Sequence, residues 1–298
     1  MEPKNHNPID VRHRMGCKRD PPHADARLLL RPERIAQLPA SFIINDPTPV
    51  GDQGQLGSCT ANAADNASKI RAAAVGAQWF NGSRLAVYYL EREHDGDLHK
   101  HCPPAKLIGD CGSQLSVAAW VLKNYGVAPE TSWPYDIENY NTKLPESVLQ
   151  QAAKDEVTTA TRLDAADENT TISNIKAALV QSYPVIFGIN CYAEIEDVGA
   201  DGNVPMPTAG EEPKGGHALC IIGYDDNHQN LDGSKGAVLL KNSWGTGWGC
   251  QKNGTPSDGA TNGGYGWLSY PYFRDTDDDV GDCWAIINEN DFPALSKK

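Results

Sequence analysis

The apolar positions along this chain change rhythm near Pro184. Upstream they recur every three to four residues, the spacing of one helix face. That predicts helices over about 58–76 (SCTANAADNASKIRAAAVG), 82–94, 113–125 and 171–182. Ser58 is placed to cap the first of these and Gly76 to end it. Downstream the apolar residues come in short runs, VIFGIN, ALCIIGY, AVLLKNSW, GYGWLSY and CWAIIN, divided by Gly, Asp and Asn clusters, and these read as strands. Residues 1 to about 48 are rich in Pro and charge and have little periodicity, so they read as an extended segment laid over a surface or left mobile. Helices followed by strands, with no internal repeat, predict an α+β fold of two lobes, mainly α over about 50–155 and mainly β over about 156–290.

Length and composition narrow the partners. A chain of 298 residues with 40% apolar content can bury a sizeable core. Its net charge of -13 repels nucleic acid and anionic membrane alike, which leaves a peptide, a protein or a small molecule as the expected partner. No run approaches the roughly 18 apolar residues of a membrane span, and the start MEPKNHNPIDVRHRM lacks the apolar core of a secretory signal. The expectation is a protein of the cytoplasm or one exported by another route. Eight cysteines do not fix the compartment of a chain this long.

Three segments carry chemistry. DQGQLGSCTANA sets Gln53 six residues ahead of Cys59, and Cys59 at the start of the Ala-rich helix. There the unsatisfied N–H groups and the positive end of the helix dipole favour a thiolate. Ala63, Ala67 and Ala74 leave the helix a flat face for close packing. GGHALCIIGYDD puts His217 at the mouth of a buried strand, and LLKNSWGTGWG puts Asn242 at the end of another, with Trp244 two residues on. A thiol nucleophile needs a base within reach and a third group to hold that base in one tautomer. Cys59, His217 and Asn242 supply those roles.

The Gln-x5-Cys segment, Gly-His-Ala ahead of Gly-Tyr, and Lys-Asn-Ser-Trp-Gly-x-Gly-Trp-Gly resemble, in kind and in order, the signature blocks of the papain-like cysteine peptidases over roughly residues 48–290. DQGQLGSCTANA, ETSWPYD and VPMPTAGEEPKGGHA are most similar to the prokaryotic branch of that family. The resemblance implies a helical lobe carrying Cys59, a β-barrel lobe carrying His217 and Asn242, and an active-site cleft between them, in a catalytic domain covering 35–298. It implies peptide-bond hydrolysis through a thioester, as an endopeptidase or other peptidase, with no cofactor and no metal. Cys59 is then the nucleophile, His217 the base and acid, and Asn242 the orienting group. Gln53 and the Cys59 N–H form the oxyanion hole. Trp244 shields the His217–Asn242 bond, and Gly215, Gly216 and Ala218 line the substrate cleft. An inactive binding protein on the same fold, or a cysteine-dependent acyltransferase or peptide ligase, is the alternative.

The chain also departs from the family. Leu56 stands where a disulfide partner is common, Thr60 replaces a large aromatic, and His217 follows Cys59 by 158 residues rather than the roughly 130–150 of the plant and animal enzymes. His99, His101, Cys102 and Cys111 resemble a zinc cluster but fit no standard module, and a Cys102–Cys111 disulfide is the stronger expectation. The acidic run Asp275–Asp279 resembles a calcium loop, yet Val280 and Ile286 stand where Gly and Glu are needed. The family's partner for a cysteine near Cys283 falls close to Glu211, and Cys250 would substitute only if the 251–264 loop folds back. About 34 residues precede the expected domain. Residues 1–40 hold eight Lys/Arg against five Asp/Glu, a net of +3 that leaves -16 on the rest. A basic, Pro-containing strap docked in cis on an acidic body and restraining access to the cleft is the expectation.

Overall fold

The structure, a computed structural model, describes residues 14–20, 37–98, 109–154, 159–165, 167–273 and 280–287. Helix α1 (Cys59–Ala74) follows from its composition, since alanine is the best helix former and small side chains admit close neighbours. Ala61, Ala63, Ala64 and Ala67 are fully buried, and α1 packs against α2 (Arg84–Leu98), α3 (Leu115–Asn124) and the sheet strands β5 (Val185–Cys191) and β6 (Gly215–Gln229). Gly76, at φ 72, ends the helix in the left-handed conformation. Ser58 stands at the N-cap position, but its hydroxyl makes no capping bond. It shares a 2.5 Å hydrogen bond with the Tyr135 hydroxyl, while Asn62 Nδ2 donates to the Ser58 carbonyl at 2.9 Å.

The helices expected at 82 and 113 each start two residues later. Gly82 forms a bridge with Pro129, and Ser113–Gln114 form a two-residue strand, β3, paired in parallel with β1 (Cys17–Lys18). A further helix, α4 (Glu146–Ala152), is only seven residues long, too short to give a periodic signal. Helix α5 (Glu168–Leu179) begins earlier than its apolar pattern because Asp167 accepts from the Thr170 N–H at 2.9 Å and caps it.

Each expected run after Pro184 is a strand. β2 (Ser41–Ile43), β4 (Thr159–Arg162), β7 (Lys235–Lys241), β8 (Tyr265–Ser269) and β9 (Val280–Ile287) join β5 and β6 in a seven-stranded antiparallel sheet of order β4-β9-β5-β6-β7-β8, with β2 on β6. Register shifts between Ile186 and Gly188 and between Ile221 and Gly223 are bulges, which bend strands. The chain is thus α+β. One buried ion pair fixes the end of β7: Lys241 Nζ donates to Asp46 Oδ2 at 2.8 Å and Thr48 Oγ1 at 2.7 Å, and the Tyr265 hydroxyl donates to Asp46 Oδ2 at 2.8 Å. Neither charged side chain touches solvent. Burial pulls the Lys241 ammonium down to about 8 despite Asp46, whereas Lys241 and three hydrogen bonds hold Asp46 low against the effect of burial.

Candidate active site

Helix α1 starts at Cys59, a free and fully buried thiol. Strand β6 runs beside it, and the backbone of Ala218, the residue after His217, hydrogen-bonds the sulfur. His217 Nε2 lies 2.9 Å from Asn242 Oδ1, which also accepts the Ser243 N–H at 2.7 Å. That second bond fixes the amide with its oxygen toward the ring. Since an amide oxygen only accepts, Nε2 carries the hydrogen and Nδ1 is the basic nitrogen. Trp244 stacks on the imidazole with centroids 4.5 Å apart, and Trp248, anchored by its Nε1 donating to the Ile195 carbonyl at 2.7 Å, meets Trp244 edge-on.

Gln53 reaches the same place from the loop before α1. Its Oε1 accepts from Ser243 Oγ at 2.6 Å and its backbone N–H donates to the Ser243 carbonyl at 2.9 Å. Gln53, Ser243, Asn242 and His217 therefore form one hydrogen-bonded chain. Ser243 was visible in the sequence only as the residue between Asn242 and Trp244. Tyr135, whose hydroxyl donates to the Gln53 carbonyl at 3.0 Å, was visible only as part of ETSWPYD, with no role attached to it.

Residues 14–20 thread between these groups. Gln53 Nε2 donates to the Arg14 carbonyl at 2.9 Å, Gly16 hydrogen-bonds the Cys59 sulfur through its backbone, and the Ser113 N–H donates to the Gly16 carbonyl at 2.9 Å. Glycines line the passage because nothing larger fits. A Cβ on Gly16 would lie 2.8 Å from Gly57 Cα and closer still to its carbonyl, one on Gly215 would lie 3.0 Å from Met15, and one on Gly216 would overlap the Cys17 carbonyl. Farther along, Asp20 is nearly buried. Its carboxylate accepts from Ser116 Oγ at 2.6 Å and Trp284 Nε1 at 2.9 Å, while its N–H donates to Asp282 Oδ2 at 2.9 Å. With the cleft so filled, burial pushes the Cys59 thiol up to about 11, against the hydrogen bonds from Ala218, Gly16 and Thr60. Burial and then Asp20 push the Asp282 carboxyl up to about 6, against the pull of Arg162 and Arg19.

The departures from the family have physical accommodations. Thr60 Oγ1 donates to Glu91 Oε2 at 2.6 Å, both buried, where a large ring was absent, and Leu56 is simply buried. Cys250 and Cys283 are separate free thiols, as are the buried Cys191 and Cys220, and Glu211 accepts the Ala193 and Thr208 N–H groups. Cys111 is disulfide-bonded. His99, His101, Cys102 and Asp275–Asp279 lie outside the described residues, among which no cluster could hold a metal ion.

The family model "Papain family cysteine protease" matches residues 44–254, well over half of the chain. The chain is similar to the crystal structure of xylellain, a cysteine protease from Xylella fastidiosa, at 26% identity over 95% of this chain and 99% of that one, with a TM-score of 0.73. An uncharacterized peptidase C1-like protein of Acanthamoeba polyphaga mimivirus is 29% identical over 253 residues, 82% of this chain and 71% of its own. Digestive procathepsin L 3 of Tenebrio molitor shares the fold at 19% identity, over 88% of this chain and 75% of that one, with a TM-score of 0.60. The chain belongs to the papain family of cysteine proteases.

Proposed function

We propose that the chain cleaves peptide bonds with Cys59 as nucleophile, His217 as base and acid, Asn242 as the group orienting His217, and Gln53 as an oxyanion donor. The observation that supports this best is the His217 Nε2–Asn242 Oδ1 bond beside the thiol at the head of α1, which leaves Nδ1 basic. In this reading Nδ1 takes the thiol proton, giving a thiolate and an imidazolium. The thiolate attacks the scissile carbonyl, and its oxygen, now negative, accepts from the Cys59 N–H and Gln53 Nε2. The intermediate collapses to a thioester as His217 gives its proton to the departing amine. Water, deprotonated by His217, then releases the acid and restores the thiol. Stacking by Trp244 keeps water off the His217–Asn242 bond. Residues 14–20 act as a strap that occupies the oxyanion position with the Arg14 carbonyl until it is displaced, so Gly215, Gly216 and Ala218 form the wall a substrate shares with the strap.

The test is a fluorogenic dipeptidyl amide under reducing conditions, with and without an amine acceptor, beside labelling of Cys59 by an epoxide. Hydrolysis lost in Cys59→Ala supports the peptidase. No release and no labelling from a folded chain with its strap displaced would favour an inactive binding protein, and product that requires the added amine would favour a transferase.

A further inference from the structure

We infer that Asp110 selects a cationic side chain on the residue whose carbonyl is attacked, so that bonds following Arg or Lys are the preferred substrates. The inference rests on the proposed role of Gln53, because it uses Arg14 to mark where that residue lies. The Arg14 carbonyl accepts from Gln53 Nε2, the donor assigned to the oxyanion, and the side chain of the same residue runs to Asp110. Arg14 Nε lies 2.9 Å from Asp110 Oδ2, and Nη2 donates to the Asp110 carbonyl at 3.0 Å. One residue therefore puts a carbonyl where the chemistry would occur and a guanidinium on a carboxylate.

That carboxylate is set in place independently of Arg14. Asp110 Oδ1 accepts from the Tyr88 hydroxyl at 2.6 Å and the Gly57 N–H at 3.0 Å, and its side chain is only 8% exposed, against 55% for Arg14. A rigid, prepaired acceptor needs no reorganisation to receive a cation, whereas the cation on it is readily exchanged from the solvent side. Gly57 is two residues from Cys59, and a Cβ there would lie 2.8 Å from Asp110 Oδ1, so a glycine is what lets the acid approach the backbone just ahead of α1. Tyr88 and Gly57 would be served as well by an amide oxygen. Buried Arg92 feels the Asp110 charge at a distance but spends its hydrogen bonds on the Tyr88, Gly109 and Tyr140 carbonyls and Asn141, so the cation in direct contact with the carboxylate is Arg14. The overall charge of -13 adds long-range attraction for basic segments.

The test uses the full chain carrying Gly16→Ala, which displaces the strap, and peptide amides that differ only at the residue before the cleaved bond: Arg, Lys, norleucine or Glu. The expected kcat/KM for Arg and Lys exceeds that for norleucine by about tenfold or more, the size of one charge-assisted hydrogen bond, with Glu slowest. Added salt should shrink that ratio, a readout that needs no change at Asp110. Asp110→Asn should bring Arg and norleucine within about threefold, Asp110→Glu should keep the preference, and Asp110→Lys should turn it toward Glu. Equal rates on all four peptides would overturn the inference while leaving the peptidase reading intact. Cleavage of none, with Cys59 unlabelled, would overturn both.

Discussion

Gly16→Ala is the sharpest perturbation of the strap. The new methyl would sit 2.7 Å from the Gly57 carbonyl carbon and 2.8 Å from its Cα, and the atoms it meets are backbone, which cannot swing aside. Relief of about 1 Å must come from the strap itself. Three hydrogen bonds then fail together: Arg14 O with Gln53, Gly16 O with Ser113, and the Gly16 backbone with the Cys59 sulfur. At a net of about 1 kcal/mol each, the loss of about 3 kcal/mol shifts the docked-to-open ratio by roughly 100-fold. Turnover follows the open fraction, so cleavage of a small peptide should rise by up to that factor. Alkylation of Cys59, followed by intact mass, should rise in parallel. The pH profile gives a second readout. With the strap in place, burial pushes the Cys59 thiol up to about 11 against the Gly16 hydrogen bond, and displacing the strap should expose the sulfur and let that value fall. The contribution of that difference to docking is present below the open-state pKa and is lost as pH rises through about 11. The unsubstituted chain should therefore gain alkylation rate above pH 9, and Gly16→Ala should react at lower pH. Salt should narrow the gap between the two proteins, because the strap residues 14–20 carry Arg14, Lys18 and Arg19 against Asp20 on a chain of net charge -13. Equal turnover and alkylation for the two folded chains at low salt would refute the reasoning.

In Asn242→Ala, measured in the strap-displaced chain, kcat should fall more than KM rises, since an orienting group acts mainly in the transition state; a pure KM effect would move Asn242 to substrate binding. Asp282 is held up to about 6 in the folded protein, so its contribution to stability is present below the ordinary carboxylate range and lost as pH rises through about 6. The stability of Asp282→Asn relative to the unsubstituted chain should improve between pH 5 and pH 7.5 by about 1.4 kcal/mol, read from denaturant midpoints; a gap that stays flat with pH would contradict this. Lys241→Met should cost about 3–5 kcal/mol by leaving Asp46 buried without its cation, and an unchanged midpoint would show that Tyr265 and Thr48 suffice to hold it.

What the sequence disclosed was local, and what it hid was tertiary. The five strands after Pro184 were legible because runs such as VIFGIN are buried on both faces and bounded by turn residues. Cys59 and Gln53, His217, and Asn242 stood out because they sit in three recognisable blocks, and the structure brings those three blocks to one place. Ser58 misled because a serine before a helix usually caps it, and nothing near it in the chain announces Tyr135, 77 residues on. Thr60 could not be explained without Glu91, nor Asp110 without Tyr88 and Gly57, which meet it only through packing. Charge led to the expectation of a docked strap, and of that segment residues 14–20 are seen against the body. Charge could not foretell that the Arg14 carbonyl would meet Gln53.

Ser243 has a consequence for how losses combine. Its hydroxyl holds Gln53 and its N–H holds Asn242, so the proposed oxyanion donor and the proposed orienter of the base share one mechanical support. Two functions usually counted as separate factors are then thermodynamically coupled. Disturbing either end frees the other, and the rate lost on removing both Gln53 and Asn242 should fall short of the product of the single losses. Replacing Ser243 alone, a residue with no chemical step of its own, would loosen both ends at once.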